Sequence, residues 1–262
     1  MQNSCIVNGV SSCVGCGLEL AIRHVMKILG QNTVIVIPPG CAALFSGFGI
    51  DTAMTIPGFQ GNLENTASYA AGIRAGLERQ GKTDVNVLAF AGDGATVDIG
   101  LQALSGVFER NERIIYVCYD NEAYMNTGGQ RSSSTPYSAV TTTTPNGKNT
   151  PKKDMFAIAN AHNVKYIASV SIGNIPDLER KVAKAKLVDG TSYIHIHTPC
   201  PTGWGFNPSM TVSIARQAIE SGIWELFEIV DSQKNMTYIP KEKQSEEKYW
   251  NMQKRFYESK IL

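Results

Sequence analysis

Hydrophobic residues along the chain form short, nearly continuous runs that alternate with longer amphipathic segments. The runs predict buried strands at residues 32–38, 85–91, 113–119, 164–170 and 192–198. Apolar residues spaced three and four apart predict helices at residues 18–29, 65–80, 97–110, 152–162, 175–188 and 210–227. This alternation indicates an α/β fold, with a doubly wound, mostly parallel sheet and helices on both faces.

Two parts of the chain depart from this alternation. Residues 121–151 show no apolar periodicity, and so long a loop inside a compact domain is usually functional. The chain is charged from residue 236 onward, although Tyr249, Met252 and Phe256 are spaced to form one apolar stripe on a helix. We therefore expect a binding domain over residues 1–235 and a tail over 236–262, either solvated or docked on a partner subunit.

Composition narrows the class of protein. The chain has 262 residues, 43% of them hydrophobic, and a net charge of +1, which gives no sign of nucleic acid or of an acidic membrane surface as partner. No apolar run reaches the roughly 18 residues that span a bilayer, and no secretory signal is visible at the N-terminus. We expect a cytoplasmic protein, in which the six cysteines serve metal binding or catalysis rather than disulfides.

A Gly-Asp-Gly sequence follows the second predicted strand and precedes a helix. Gly92 and Gly94 permit a sharp turn, the helix start offers free amides to a phosphate, and Asp93 offers a carboxylate to Mg²⁺. Asn121 ends the next strand 28 positions after Asp93, and Ala123 can add a backbone carbonyl. Strand, GDG, helix, strand and Asn at this spacing resemble the thiamine diphosphate motif, whereas a dinucleotide fold lacks support because no G-x-G-x-x-G is present.

Four cysteines fall at strand ends or at a helix start. Cys13 and Cys16 open the first helix, Cys41 follows the first strand, and Cys200 follows the last predicted strand. Because such positions meet at one edge of a parallel sheet, the four thiolates could form one site that holds zinc or a [4Fe–4S] cluster. One close pair with two distant single residues is less typical of zinc. The alternative is that Cys41 and Cys200 are merely buried and that Cys13 and Cys16 form an unrelated dithiol.

The remaining cysteines and the strand histidines have structural interpretations. Cys118 lies in the middle of an apolar strand, and Cys5 has no partner at a useful spacing. His195 and His197 lie on one face of a strand, where a core or edge role is favoured over metal binding.

Several motifs together resemble one family. The sequence "CVGCG", with a further cysteine 25 residues on, "GDGATVDIGLQALSG", "CYDNEAYMNTGGQRSSSTPYSAVTTTTP" and "HIHTPCPTGWGF" are similar to segments of the β subunit of 2-oxoacid:ferredoxin oxidoreductases, nearest the pyruvate enzymes. The resemblance covers roughly residues 10–206 and implies the thiamine diphosphate-binding fold, in its diphosphate-binding domain.

The resemblance also implies roles for individual residues. Four cysteines would ligate one [4Fe–4S] cluster, and three residues would hold Mg²⁺ through two side chains and one carbonyl. Three more would line the diphosphate, and one would face the reacting carbon. The implied cluster ligands are Cys13, Cys16, Cys41 and Cys200, and the implied Mg²⁺ ligands are Asp93, Asn121 and the Ala123 carbonyl. The residues that would line the diphosphate are Gly92, Gly94 and Ala95, and the residue that would face the reacting carbon is Asn126. Leu18 stands where some pyruvate enzymes have Glu, which leaves cofactor contacts there open.

The activity implied is oxidative decarboxylation of pyruvate to acetyl-CoA and CO₂, with electrons passing singly to the cluster and then to ferredoxin. We expect no second domain for the activating glutamate in a chain of this length, and the sequence shows no C-x₂-C-x₂-C-x₃-C run for an electron relay. An α subunit and a ferredoxin-like cluster subunit are therefore implied. Three alternatives stay open: a branched-chain 2-oxoacid or oxalate as substrate, a non-redox thiamine decarboxylase with structural zinc, and a non-catalytic assembly subunit.

Overall fold

A computed structural model describes residues 4–7, 9–47 and 52–256. Within this part of the chain, eight strands form one sheet in the order β2-β1-β3-β4-β6-β5-β7-β8. The strands are β1 (Thr33–Ile37), β2 (Gly58–Gln60), β3 (Asn86–Gly92), β4 (Ile115–Asp120), β5 (Tyr166–Ser171), β6 (Ser192–His197), β7 (Leu226–Val230) and β8 (Gln233–Tyr238). All pairings from β2 to β5 are parallel, and β7 and β8 are antiparallel.

Helices cover both faces of the sheet, as the alternation of runs predicted. The α-helices of the described residues are α1 (Gly17–Leu29), α2 (Ala43–Ser46), α3 (Thr66–Arg79), α4 (Leu101–Arg110), α5 (Met155–Ala161), α6 (Ile175–Ala185), α7 (Pro201–Trp204), α8 (Thr211–Glu220) and α9 (Glu246–Asn251). One apolar core joins α1 and α6 to the sheet, and a second joins α3, α4 and α5 to its other face. No helix of this part of the chain is both long and apolar enough to cross a membrane.

Adjacent strand residues divide between these two cores, as expected of a sheet that is buried on both faces. Leu88 and Phe90 pack into the first core, whereas Val87 and Ala89 pack into the second. Every residue of β4, β5 and β6 is buried. Burial on both faces explains why these strands are continuous apolar runs rather than alternating ones.

The predicted helix at 210–227 is wrong at its C-terminal end. Helix α8 ends at Glu220, and Gly222 then takes a left-handed backbone with φ of 75°. The apolar residues that follow belong to β7, which turns into β8 through Asp231 and Ser232, both with positive φ. Two positive φ values are typical of the tight turns that match strand twist, so this hairpin replaces the end of the predicted helix.

The C-terminal region packs against the rest of the protein. Strand β8 crosses the expected boundary at residues 235/236, and Tyr249 of α9 is buried in a third apolar cluster with Trp204 and Trp224. The division into a domain and a tail stays a prediction, and the end of the tail, 257–262, lies outside the described residues.

Candidate active site at the carboxyl ends of the central strands

The candidate site lies where the order of the strands reverses. From β1 the chain continues outward to β2, whereas β3 lies on the other side of β1 and leads to β4. In open α/β sheets, ligands bind at the carboxyl ends of strands at such a switch point. Cys41 follows β1 here and Asp93 follows β3, so both predicted groups start from the same crevice.

The Gly-Asp-Gly turn leads into a single turn of π-helix, Gly94–Asp98, before α4 begins. A Cβ atom at Gly94 would lie 2.2 Å from the Tyr124 ring, so only glycine fits there. The Tyr124 hydroxyl donates a hydrogen bond to the Gly94 carbonyl at 3.1 Å. Tyr124 therefore covers the turn, a role that the sequence did not reveal. Ala95, the third predicted diphosphate residue, lies within the same π-helical turn and is buried.

The Asp93 carboxylate, the Asn121 amide and the Ala123 carbonyl of the predicted magnesium set face one another. The terminal atom of the Asn121 amide lies 3.2 Å from Asp93 Oδ1 and 2.7 Å from the Ala123 carbonyl oxygen. With the amide oxygen in that position the three oxygens suit a cation, and with the nitrogen there the amide donates two hydrogen bonds. Octahedral ligands held 2.0–2.1 Å from Mg²⁺ lie about 3 Å from one another, so these separations fit that ion.

Asp93 is 1% exposed, and a serine hydroxyl holds its carboxylate. Ser132 donates a short hydrogen bond to its Oδ2. Burial, followed by the nearby Asp120 carboxylate, raises the pKa of Asp93 well above the usual value of an aspartate. A divalent cation would offset both effects, because it favours the ionised carboxylate.

These residues surround a cavity of about 120 Å³, called here the magnesium cavity. The predicted residues that line it are Gly92, Asp93, Gly94, Ala95, Asn121, Ala123 and Asn126. The structure therefore brings together the whole predicted set for diphosphate and Mg²⁺.

The four predicted cluster cysteines line a second cavity of about 240 Å³, called here the cysteine cavity. Cys16 is the N-cap of α1, and Cys200 is the N-cap of α7. A Cβ atom at Gly17 would lie 2.7 Å from the Pro199 carbonyl oxygen. This close approach, which glycine alone allows, brings the start of α1 against the segment that carries Cys200.

Burial controls the protonation of these thiols. Burial, followed by the neighbouring cysteines, raises the pKa of Cys41 to about 12. Burial also raises the pKa of Cys200 to about 11, although the Gly203 amide opposes it. Burial also raises the pKa of Cys16, while Cys13 is exposed. Among the described residues, no three His, Cys, Asp or Glu side chains are close enough to hold a single metal ion. The four cysteines line the cysteine cavity.

The two cavities adjoin, because four residues line both of them: Cys41, Asn121, Met125 and Asn126. Asn126 is exposed at the junction, where the resemblance places it beside the reacting carbon. Leu18 lines the cysteine cavity only.

A network of buried charges lies behind the magnesium cavity and was not expected from the sequence. Asp120 Oδ2 accepts from Lys152 Nζ at 3.0 Å and lies 2.8 Å from His195 Nε2. Glu122 pairs with Lys152 at 2.7 Å and with Arg255. Burial alone would raise the pKa of Asp120, but Lys152 and then His195 outweigh it and hold the pKa below its usual value. The acidic residues on both sides of Asn121 are therefore neutralised by neighbouring cations.

The structural interpretations of the other cysteines and histidines agree with their surroundings. Cys118 is fully buried in β4, and Cys5 packs in the first apolar core. His195 also lies 2.8 Å from the Tyr193 hydroxyl. His197 is fully buried, with its ring stacked on Trp224 at 4.6 Å.

Comparison with known proteins identifies the class of this fold and site. Residues 39–196 match the thiamine pyrophosphate enzyme family, in its C-terminal TPP binding domain. This segment contains the Gly-Asp-Gly turn, Asn121 and Cys41, and the match supports thiamine diphosphate as a cofactor.

Relatives of higher similarity define the family. The chain is 51% identical over 253 residues to pyruvate synthase subunit PorB of Methanothermobacter thermautotrophicus, covering 95% of this chain and 88% of that one. It is 41% identical over 260 residues to ketoisovalerate oxidoreductase subunit VorB of Pyrococcus abyssi, covering 95% and 84%. The chain belongs to the β subunits of the 2-oxoacid:ferredoxin oxidoreductases and is part of an enzyme complex.

A solved structure has the same fold. The 2-oxoglutarate:ferredoxin oxidoreductase from Magnetococcus marinus aligns with a TM-score of 0.66 at 21% identity, covering 75% of this chain and 67% of that one. The predicted α/β class, with a mostly parallel sheet and helices on both faces, is thus confirmed.

Proposed function

We propose that this chain carries the thiamine diphosphate and [4Fe–4S] centres of an enzyme that converts pyruvate, coenzyme A and oxidised ferredoxin to acetyl-CoA, CO₂ and reduced ferredoxin. One observation carries the proposal: the magnesium cavity and the cysteine cavity share four lining residues. Direct contact between a cofactor site and a thiol-lined site suits a reaction in which electrons leave the substrate one at a time.

In this proposal Asp93, Asn121 and the Ala123 carbonyl hold Mg²⁺, while Gly92, Gly94 and Ala95 line the diphosphate. The near-3 Å separations around the Asn121 amide support this ligand set. When bound, thiamine diphosphate supplies a thiazolium carbon that adds to a 2-keto carbon and takes up the electrons that decarboxylation releases.

The chain's own residues orient the reactants and exclude water. Ser132 fixes the Asp93 carboxylate, so one oxygen of that carboxylate stays directed at the cation. Tyr124 covers the diphosphate turn and shields it from solvent. In this proposal Asn126, which is exposed and lines both cavities, donates a hydrogen bond to the substrate carbonyl.

Cys13, Cys16, Cys41 and Cys200 hold the [4Fe–4S] cluster in this proposal. Each thiolate of such a cluster binds a different iron, so the cysteines belong on the walls of a cavity, which is the arrangement observed. The raised pKa values of the buried thiols mean that cluster binding releases protons. The colour of this chain, purified anaerobically without the other subunits, separates the alternatives, since a cluster is brown and zinc is colourless.

Other subunits complete the enzyme. An α subunit supplies the glutamate that activates the cofactor, and a ferredoxin-like subunit passes electrons to ferredoxin. The six free cysteines support a reducing compartment, and we propose the cytoplasm. The purified chain alone is expected to be inactive, and turnover by the isolated, reconstituted chain would contradict this assembly.

A branched-chain 2-oxoacid is the second candidate substrate, because a relative named as a ketoisovalerate oxidoreductase subunit is 41% identical. The test is dye reduction by the anaerobically purified complex with pyruvate, 2-ketoisovalerate, 2-oxoglutarate and oxalate, each with and without coenzyme A. The proposal predicts the highest kcat/KM with pyruvate and a requirement for coenzyme A. No reduction with any 2-oxoacid would overturn it.

A further inference from the structure

Arg255 is a buried cation near the end of the described chain. Its side chain is 4% exposed, and its guanidinium pairs with the Glu122 carboxylate. The guanidinium carbon also lies 3.8 Å from the centre of the Trp204 ring. Arg255 Nε also donates a hydrogen bond to Gln253 Oε1 at 2.8 Å. A planar guanidinium suits this combination of stacking and ion pairing, which lysine cannot reproduce.

The first partner, Glu122, lies between two proposed magnesium ligands, Asn121 and Ala123. It adopts φ of 64°, a left-handed backbone that residues other than glycine rarely take. The Glu122 carbonyl accepts a hydrogen bond from Thr135 Oγ1 at 2.6 Å. The Glu122 carboxylate forms ion pairs with both Lys152 and Arg255. Removal of Arg255 would leave this buried carboxylate with one cation and loosen the turn that aims both magnesium ligands.

The second partner, Trp204, connects the same turn to the cysteine cavity. Trp204 Nε1 donates to the Asn121 carbonyl at 2.8 Å. Trp204 is also the last residue of α7, whose N-cap is Cys200. One guanidinium therefore contacts both the turn that presents the magnesium ligands and the short helix that presents a cluster cysteine.

We propose that Arg255 is a positioning residue that fixes the turn at residues 121–123 relative to helix α7, whose N-cap is Cys200, so that the C-terminal segment sets both Mg²⁺ affinity and cluster occupancy. This inference rests on the proposed function. The C-terminal segment, which the sequence predicts to be a charged tail, would then take part in building the active site.

The test uses the assembled complex with Arg255→Met or Arg255→Lys in this chain. Arg74→Met is the matched control, because Arg74 is also buried but bonds to the Arg113 and Val85 carbonyls, just before strands β4 and β3, at the opposite edge of the sheet. The readouts are calorimetric Mg²⁺ titration with thiamine diphosphate, the apparent KM for Mg²⁺ against kcat at saturation, and iron content.

Arg255→Met is expected to weaken Mg²⁺ binding on the order of tenfold or more and to lower the iron content, with kcat of the loaded fraction largely retained. Arg255→Lys restores part of the Mg²⁺ affinity through its charge. Arg74→Met loses stability but keeps the wild-type Mg²⁺ affinity. Where Arg255→Met does not assemble, Trp204→Phe removes the bond to the Asn121 carbonyl and part of the ring on which Arg255 stacks, and it is expected to weaken Mg²⁺ binding.

Wild-type Mg²⁺ affinity and iron content in Arg255→Met, or in Trp204→Phe where that variant is needed, would overturn this inference alone. An equal loss of affinity in Arg74→Met would also overturn it, since the effect would then be general destabilisation. A wild-type complex that binds neither Mg²⁺ nor thiamine diphosphate would overturn the proposed function and this inference with it.

Discussion

The magnesium cavity and the cysteine cavity adjoin, yet they are built differently. The magnesium cavity draws its predicted ligands from the ends of neighbouring strands β3 and β4, and buried hydrogen bonds fix them. The cysteine cavity collects Cys13 and Cys16 from one segment and Cys41 and Cys200 from two distant ones, and Cys13 is exposed. The magnesium cavity therefore depends on the geometry of the loops that follow β3 and β4. The cysteine cavity depends on how closely α1 packs against the segment that carries Cys200.

Because the two cavities are built differently, each should be sensitive to the loss of a different kind of contact. Loss of one hydrogen bond should perturb the magnesium cavity, because its ligands are aimed by such bonds. The cysteine cavity should be more sensitive to the spacing between main-chain segments, because Gly17 and Pro199 are in close contact there. Substitutions of each kind should therefore separate the two cavities.

Removal of a proposed magnesium ligand should have the largest effect. Asp93→Ala is expected to weaken Mg²⁺ binding by more than about 100-fold, since even residues that only support a ligand can cost 10–100-fold. Activity falls accordingly, while iron content stays near that of the wild type. Calorimetry and iron analysis of the complex check both; a parallel loss of iron would mean that the cavities are not separately built.

The hydroxyl that supports Asp93 should have the next largest effect. Ser132→Ala is expected to weaken Mg²⁺ binding by roughly 10–100-fold, because it removes the hydrogen bond that orients the carboxylate. Ser134→Ala is the control: that hydroxyl is equally buried but has no hydrogen-bond partner among the described residues. Equal Mg²⁺ affinities of the two variants would argue against an orienting role for Ser132.

A methyl group added where Gly17 contacts Pro199 should perturb the cysteine cavity. Gly17→Ala would place Cβ 2.7 Å from the Pro199 carbonyl oxygen, and overpacking of this kind costs about 1–3 kcal/mol. Iron content should fall more than Mg²⁺ affinity. Gly76→Ala in α3 is the control, because no atom lies within 4 Å of its Cβ, and it should be neutral or stabilise by up to about 1 kcal/mol. Full iron content in Gly17→Ala would contradict the prediction.

The last prediction concerns the pH dependence of stability, and it is expected to have the smallest effect on ligand binding in either cavity. Burial lowers the pKa of His197 to about 3, although Glu122 opposes this, so the folded protein keeps the ring neutral. The unfolded chain binds a proton near pH 6.5, so this contribution to stability is complete above pH 6.5 and is lost as pH falls toward 3. The slope is up to about 1.4 kcal/mol per pH unit. His197→Gln should flatten the pH dependence of urea unfolding between pH 4 and 7, and an unchanged slope would refute this assignment.

Local patterns sufficed for the central sheet and for the Gly-Asp-Gly turn. Strands β1, β3, β4, β5 and β6 lie within one or two residues of their predicted bounds, because a strand buried on both faces is a continuous apolar run. The hairpin of β7 and β8 was missed, because Trp224 and Leu226 continue the apolar spacing of α8 beyond the stop at Gly222.

The site as a whole needed the fold. Arg255 and Glu122 are 133 positions apart, and no spacing rule connects them. Ser132 and Tyr124 lie in the long loop, where no periodicity marks them as neighbours of the Gly-Asp-Gly turn. The motifs predicted which residues could bind a ligand, but tertiary contacts determine which residues hold those ligands in place.

The central claim is that electrons pass from the 2-oxoacid at the magnesium cavity to a cluster in the cysteine cavity. Its most direct test is the visible absorbance of the anaerobically purified complex after addition of pyruvate, with Cys200→Ser as control. We predict brown protein whose absorbance bleaches with pyruvate only when thiamine diphosphate and Mg²⁺ are present, and loss of that bleaching signal in Cys200→Ser. A colourless wild-type complex, or absorbance that pyruvate leaves unchanged while the substrate is consumed, would contradict the account.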